Sequence, residues 1–316
     1  MPASSTLRRA WNHRGLYLLV LPSALFVFGF AYWPAASALY HSFFEWSGGD
    51  AKRFIGLENF RRALTDSVFR ESFSVIAILV AANIVKLTPS IFLAVMIHRL
   101  RSDRWQYWYR VLVVVPMVVP GLVMLFVWKF FLDPNAGPLN RILDATGGKW
   151  LLVHLDRWLG WGGVFREGVP IGWLSQPGLI VPSLILWGFP WVGSVAVLIY
   201  LAGLQSIGTE VYEAAELDGA SGWTKFFRIE LPLIMTQIRL TLVLLIVGTL
   251  QGFGLQLLLL NEHGGPGGRG MVPGLWMYNR AFAAGDFGYA CALGLILFAI
   301  ILLLTWINNR FVRVDK

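Results

Sequence analysis

Six apolar blocks, each close to the roughly 20 residues that a helix needs to cross the hydrocarbon core of a bilayer, are the main constraint on how this chain can fold. They cover approximately residues 16–40, 73–97, 111–132, 179–202, 240–260 and 289–307. A single soluble core has no use for six such stretches, and composition agrees. Of 316 residues, 56% are hydrophobic and only 14% charged, against roughly 25% charged in an ordinary soluble domain. The expected class is an all-α membrane protein, a bundle of six transmembrane helices in one domain spanning residues 1–316. Pro34, Pro89, Pro116, Pro120, Pro182 and Pro190 fall inside the blocks. Neighbouring helices in a membrane bundle can re-satisfy the backbone groups that prolines free, which soluble helices rarely manage.

The formal charge of +8 does not point to nucleic acid. Lys and Arg form no basic face; they sit just outside apolar blocks, as cytoplasmic flanks of membrane helices do. The first block follows Arg8, Arg9 and Arg14 and contains Ala36-Ser37-Ala38, a small-x-small pattern like a cleavage site. It is too long for the apolar region of a signal peptide, about 7–15 residues, so a retained first helix is expected. An even number of spans puts both termini on one side. The basic connector with Arg99, Arg101, Arg104 and Arg110, and the ending with Arg310, Arg313 and Lys316, assign that side to the cytoplasm. Segments 41–72, 133–178 and 261–288 are then extracytoplasmic. The single cysteine, Cys291, cannot form an internal disulfide and reads as a buried, inert thiol.

Polar residues inside the spans are few. Lys86 lies in the second block, with Asn83 one turn earlier, and Lys129 near the end of the third. An ionised Lys at mid-bilayer costs at least about 2.5–3.5 kcal/mol, so it faces a bundle interior or water. Lys129 is close enough to the interface to snorkel.

The connector at approximately residues 205–236 differs from the others. Thr209 is placed to N-cap a helix running to Leu217, and Gly219 suits the left-handed position that ends it. Ser221 can cap a second helix, expected to stop near Leu231 because Pro232 disfavours helical geometry in the residue before it. Ala214, Ala215 and Ala220 would let a partner backbone approach closely, and Glu213 and Glu216 share a face. Trp223, Phe226 and Phe227 form an apolar stripe at helical spacing. A helix resting on lipid headgroups prefers Lys and Arg; Glu210, Glu213, Glu216 and Asp218 argue instead for a protein partner.

This connector resembles the signature loop of permease subunits of ATP-binding-cassette (ABC) importers. The pattern stands here as Glu213-Ala214-Ala215, Asp218-Gly219, Ile229 and Leu231-Pro232. The likeness extends to the oligosaccharide and glycerol-phosphate branch. Gly56-Leu57-Glu58-Asn59-Phe60, Trp128-Lys129-Phe130-Phe131, Gly137-Pro138-Leu139-Asn140 and Trp173-Leu174-Ser175 are similar to that branch. So are Ala202-Gly203-Leu204-Gln205-Ser206-Ile207, Gly264-Gly265-Pro266, Ala281-Phe282 and Phe287-Gly288-Tyr289-Ala290.

The resemblance implies a type I importer permease fold, with the loop as a cytoplasmic helix–turn–helix that couples to a separate ATPase. It implies a non-catalytic subunit in a bacterial or archaeal inner membrane, carrying a sugar or sugar-like solute. Its partners would be a second, different permease (a heterodimer), two ABC ATPases, an extracytoplasmic solute-binding protein and membrane lipid. ATP and Mg would be used by the partner ATPase and no cofactor bound here. In maltose-type permeases the stretch matching Gly188 and Trp191 lines the solute site. Trp187 and Trp191, four apart, lie on one face of the fourth helix, and Gln251, Phe253 and Gln256 are candidates on the fifth, where Phe253 and Gln256 share a face. For these residues, packing between helices or an interfacial belt is the alternative to a solute site. Lys86 reads first as a structural ion, with lining the solute path as the alternative. The sequence departs from the family between Phe253 and Gly264, where it is about two residues longer and has Asn261-Glu262-His263.

Other chemistry finds little support. No Gly-x-x-x-x-Gly-Lys-Ser/Thr occurs; Thr146-Gly147-Gly148-Lys149-Trp150 lacks the first Gly and the hydroxyl, and the Gly-rich stretch 264–270 precedes no Lys-Ser/Thr. The histidines His13, His41, His98, His154 and His263 are scattered. Two alternatives stay open: a polytopic membrane enzyme using Asp144, His154, Asp156 and Glu167 of segment 133–178, and an ion-driven secondary carrier, which the scarcity of intramembrane carboxylates disfavours.

Overall fold

The computed structural model describes residues 14–311; Arg8, Arg9, His13, Arg313 and Lys316 lie outside them. Helices make up nearly all the regular structure. The described residues divide into two compact units, one holding those up to Thr65 with Arg280–Ile296, the other Asp66–Asn279 with those from Leu297 onward.

In the first unit, α1 (Arg14–Val27) passes through a π-turn (Phe28–Tyr32) into α2 (Trp33–His41). A short antiparallel ribbon follows, β1 (Phe44–Trp46) with β2 (Lys52–Phe54), and then α3 (Glu58–Thr65). The ribbon, only three residues a strand, is a small addition to an otherwise helical fold among the described residues. Two of the family-like stretches have a physical role here. The buried Asn59 side chain donates to the carbonyls of Ser42 and Phe44, both at 2.9 Å, and so caps the chain as it enters the ribbon. Gly288 passes so close that a Cβ there would fall on the Phe44 carbonyl. Arg62 closes the unit, paired with Asp286 at 2.6 Å and lying 4.0 Å from the Tyr289 ring centre.

The second unit holds the remaining helices. They are α4 (Ser67–Val85), α5 (Leu87–His98), α6 (Asp103–Val118), α7 (Gly121–Phe131), α8 (Pro138–Ala145), α9 (Gly148–Leu159), α10 (Ile180–Leu186) and α11 (Ser194–Gln205). After these come α12 (Thr209–Leu217), α13 (Gly222–Lys225), a π-turn (Phe226–Glu230), α14 (Leu231–Leu233), α15 (Met235–Gln251), α16 (Gly254–Leu260) and α17 (Pro273–Tyr278). The last helix, α18 (Phe287–Phe311), begins in the first unit and ends in the second. Three stretches are long and apolar enough to cross a membrane unbroken, Gly15–His41, Ser67–His98 and Phe287–Asn308.

The other apolar blocks are interrupted. α6 and α7 meet at 87°, so the third block is bent rather than straight. The cause is Pro120, which follows Val119 in extended geometry and starts the new helix. The fourth block is split between α10 and α11 and the fifth between α15 and α16. Cys291 is half-buried rather than enclosed.

Segment 133–178 builds its own small core, in which Leu132, Val153, Phe165, Ile171, Trp173 and Leu179 pack together. Asn140 pins it: its amide nitrogen donates to Pro134 O at 2.8 Å and Ile171 O at 3.0 Å, and its oxygen accepts from Trp173 Nε1 at 2.9 Å. The acidic residues of the segment are all engaged locally. Asp156 is buried and accepts from the amides of Gly163 (3.1 Å) and Phe165 (2.6 Å). Asp144 pairs with Lys149 at 3.3 Å and Glu167 with Arg157 at 3.0 Å. Nothing in this set converges on a reacting centre.

Replacing Asn140 with Leu removes three bonds at once, and each buried polar group left unpaired costs about 1–3 kcal/mol. The N140L variant should melt several degrees below the parent protein in a detergent thermal-shift assay. An unchanged midpoint would show that Asn140 does not hold this core.

Candidate functional site

A cavity of about 580 Å³ lies where the fourth and fifth apolar blocks are interrupted, beside the α4–α5 junction of the second. Lys86 caps both α4 and α5, inside the continuous apolar stretch Ser67–His98. In the fourth block, α10 ends at Leu186, and Trp187 turns to extended geometry with ψ 130°. Gly188 (φ 76°) and Trp191 (φ 62°) both adopt left-handed geometry, and the Phe189–Pro190 peptide is cis. In the fifth block α15 stops at Gln251, Gly252 is extended, and Phe253 precedes α16. Lys86, Trp187, Gly188, Trp191, Phe253 and Gln256 all line the cavity, with Asn83, Ser90 and Thr249 among the polar groups.

The break in the fourth block leaves backbone groups without helical partners, and Lys86 and Ser90 take some of them up. Lys86 Nζ donates to Trp187 O at 3.3 Å. That carbonyl is one the helix end has freed, so the ion and the break satisfy each other. Ser90 Oγ accepts from the Gly193 amide at 2.9 Å and lies 3.5 Å from Trp191 O. Trp191 is held further by its own Nε1, which donates to Ile185 O at 3.2 Å. A bulky residue in left-handed geometry is an outlier that surrounding structure must impose, and such residues cluster at functional sites. Across the cavity Asn83 Nδ2 donates to Thr249 Oγ1 at 3.1 Å. Lys86 is the one ionisable side chain among the lining residues.

The geometry corrects three expectations. Trp187 and Trp191 do not share a helix face, because no helix connects them; the turn between them brings both to the cavity. Phe253 and Gln256 do not sit on one continuous fifth helix, yet both line the cavity. Gln251, at the end of α15, is exposed and outside the lining, since the break rotates it away from its neighbours. Lys129 is exposed in the last turn of α7.

The second feature is the hook formed by α12 and the helical run from Gly222. α12 starts one residue earlier than its composition suggests: Gly208 holds the N-cap position and Thr209 is the first helical residue. The Glu210 carboxylate folds back over Gly208, where a Cβ would fall on it. At the other end Gly219 has φ 69°. Its amide bonds Glu216 O at 3.0 Å while the Ala220 amide bonds Ala215 O at 2.9 Å, the paired bonds of a Schellman turn. Ser221 Oγ then accepts from the Thr224 amide at 3.2 Å. The second helix does not stop at Leu231. A π-turn precedes Pro232, which sits in the first turn of α14 where a missing N–H is tolerated. The chain bends by 65° into α15.

The hook sorts its residues by exposure. Glu213, Ala214, Asp218 and Gly219 are exposed, and Leu217 at the tip is 90% exposed. Ala215 is buried and packs the hook onto its own chain. Ile229 and Leu231 are half-buried and Pro232 exposed. The expected aromatic stripe divides: Phe226 points inward and stacks on Phe92 at 5.1 Å, while the exposed Trp223 and Phe227 stack on each other at 5.9 Å. Glu216 pairs within the hook, its Oε1 2.7 Å from Lys225 Nζ. That hydrogen bond, then the charge of Lys225, holds the Glu216 carboxyl below its usual range.

What fastens the hook is absent from the sequence-derived candidates. Glu230 has no exposed surface, and Arg99, immediately after α5, grips it with both arms: Nε to Oε1 at 2.9 Å and Nη2 to Oε2 at 2.7 Å. The same Nη2 donates to Gly222 O at 2.8 Å. Tyr212 Oη lies 3.1 Å from His98 Nε2. Burial, then the Glu230 carboxylate, pushes the Tyr212 hydroxyl up to about 12, so it stays protonated. Arg99 read as a positive-inside flank and Glu230 as an unremarked residue inside Ile229-Glu230-Leu231; only their meeting 131 positions apart gives them a role.

Residues 90–313 match the family described as binding-protein-dependent transport system inner membrane component. The chain is 30% identical to the diacetylchitobiose uptake system permease protein NgcF of Streptomyces coelicolor, covering 93% of this chain and 82% of that relative. It is 31% identical to the sn-glycerol-3-phosphate transport system permease protein UgpA of Agrobacterium fabrum, covering 94% of each. In fold it is similar to a chain of a bacterial alginate ABC transporter solved with alginate pentasaccharide-bound periplasmic protein. The TM-score is 0.77 at 21% identity, over 98% of this chain and 97% of the other.

Removing one partner of a buried ion pair costs about 3–5 kcal/mol, toward the lower end here because Arg99 is partly solvated. Arg99→Met and Glu230→Gln should therefore each lower the detergent melting midpoint, with Arg99→Met the worse because it leaves a bare carboxylate. The double variant R99M/E230Q should lose clearly less than the sum of the two. Additive losses would mean that the pair is not coupled.

Proposed function

Because the chain belongs to the family of binding-protein-dependent transport system inner membrane components, we propose that it is one permease subunit of an ATP-driven importer for a sugar or sugar-like solute. The observation that carries this reading is that one helix joins the two candidate sites. α5 borders the cavity at Leu87 and Ser90, and its other end meets the hook through His98 and Arg99. Twelve residues of helix make a rod of about 18 Å. Its packing against α11, Phe226 and Ile234 through Ile91, Ala94, Val95 and Ile97 leaves little freedom to bend.

In this reading the exposed tip of the hook, with Glu213, Ala214, Asp218, Gly219 and Leu217, sits against a separate ATPase subunit on the cytoplasmic side. Ala215, Ile229, Leu231 and Pro232 shape the hook rather than touch the partner. ATP binding and Mg belong to two such ATPases. When these close, the hook moves, α5 moves with it, and the Lys86–Trp187 and Ser90–Gly193 bonds at its far end change the cavity's shape. A nucleotide drives the switch only through its different affinity for the two states. A second, different permease completes the pathway, and a solute-binding protein delivers from outside. Both termini then lie in the cytoplasm and the chain resides in the inner membrane.

The solute class rests on the cavity's chemistry. Trp187, Trp191 and Phe253 supply aromatic faces for the apolar side of a sugar ring, and Asn83, Lys86, Thr249 and Gln256 supply hydrogen-bonding groups for its hydroxyls. The named solutes of the relatives, diacetylchitobiose and sn-glycerol 3-phosphate, agree in type. No residue of this chain is assigned a catalytic role.

The tagged chain purified from its native membrane should bring down an ATPase whose hydrolysis rises when loaded binding protein is added. Uptake that proceeds with no nucleotide-hydrolysing companion would overturn the reading. Within the hook, Gly219 has open space around it, so only its backbone constrains substitution. Gly219→Val should insert normally yet abolish uptake, whereas Gly219→Asn, which tolerates left-handed geometry, should retain much of it. In the cavity, Gln256→Ala should lower uptake about tenfold, since a contact of about 1.4 kcal/mol is a factor of ten. Gln251→Ala should leave uptake unchanged, and equal effects of the two would remove this cavity from the solute path.

A further inference from the structure

We propose that α9 is a lipid-surface helix, lying with its exposed face in the boundary layer of the bilayer at the end of the third and fourth apolar blocks. The helix is built inside out for a helix in water. Its buried residues include the carboxylate of Asp156, turned inward to hold the amides of Gly163 and Phe165. Its outward residues are Trp150, Leu151, Trp158 and Leu159, with Trp158 79% exposed and Trp150 62% exposed, and the ion Arg157 beside them. At 3.6 residues per turn, Trp150, Leu151 and Trp158 fall on one side, opposite Val153 and Asp156. A soluble helix places its apolar stripe on the core and its charges outside. This one turns a carboxylate inward and two tryptophans outward, with Arg157 at the edge of the outer face, a pattern that suits a membrane interface rather than open water.

Position and composition select lipid as the occupant. The inward Val153 packs with Leu132, at the end of α7, and with Leu179, just before α10. The helix therefore lies at the level where two membrane-embedded helices end. On α7 too the outward residues are apolar: Phe126, Val127 and Phe130 are each more than half exposed. Tryptophan is the residue most at home at that level, because its ring is apolar and its N–H reaches water. Of the ionic residues of the helix, Lys149 stands off the face and Arg157 lies at its edge next to Trp150; both are matched locally, Lys149 by Asp144 and Arg157 by Glu167. They can stay in the headgroup layer while the rings sit below it.

The single cysteine of the chain makes the test direct. In a Cys291→Ser background, Trp158→Cys and, separately, Leu151→Cys are labelled with a nitroxide in the assembled transporter, in nanodiscs of phosphatidylethanolamine and phosphatidylglycerol. Both positions are exposed, so neither substitution opens a core. Collision with dissolved oxygen should exceed collision with a water-soluble nickel chelate several-fold at both sites, at a depth just below a headgroup-labelled lipid standard. Equal or greater collision with the chelate would place the face in water and overturn the proposal. A label shielded from both reagents would also overturn it, and would mean that a protein partner covers the face. Neither outcome bears on the transport function, which the ATPase co-purification tests separately.

Discussion

Arg99 clasping Glu230 is the contact on which the mechanical integrity of the structure depends. A carboxylate with no exposed surface has lost its water, and only a fixed counter-charge with matched hydrogen bonds makes that tolerable. The guanidinium supplies both, and its remaining reach goes to the Gly222 carbonyl, at the start of the same helical run. Because its geometry is a planar fork, the pair fixes orientation as well as distance. A hook held by apolar packing alone could slide; one held by a bidentate pair turns with the helix that carries the arginine.

The cavity depends on the same economy of unsatisfied groups. Two apolar segments stop being helical beside the α4–α5 junction of a third, and each break would be costly in an apolar medium. They are tolerated because they face one another and share side chains. Lys86 answers the Trp187 carbonyl, and Ser90 answers the Gly193 amide. The polar groups that repair the breaks are also what makes the cavity able to bind a polar solute. Structural and solute-facing readings of Lys86 are thus compatible, since it lines the cavity while holding the turn.

How legible this was depended on the range of the interaction. Gly219 announced a left-handed helix end because so few residues adopt that geometry, and the φ of 69° agrees. Ser221 announced a cap for the same local reason. Pro232 misled: its local preference is to end a helix, but a preceding π-turn and a position in a new first turn accommodate it. Periodicity also misled in the fourth block. A spacing of four implies a shared face only if the intervening backbone is helical, and between Trp187 and Trp191 it is not. The aromatic run at Trp223, Phe226 and Phe227 likewise split once Phe92 arrived to stack on one of the three.

The sequence by itself determined that the chain is built of membrane-crossing helices, that a short acidic hook with a glycine turn interrupts them, and to which family these features belong. Those are consequences of hydrophobic length and of backbone preferences, both read within a few residues. Only the tertiary structure decided which apolar segments break, which polar groups repair them, and that Arg99 would find Glu230 rather than water. Each of those outcomes is a pairing between distant residues, and the free energy of a buried polar group is set by the partner it meets, not by its neighbours in the chain.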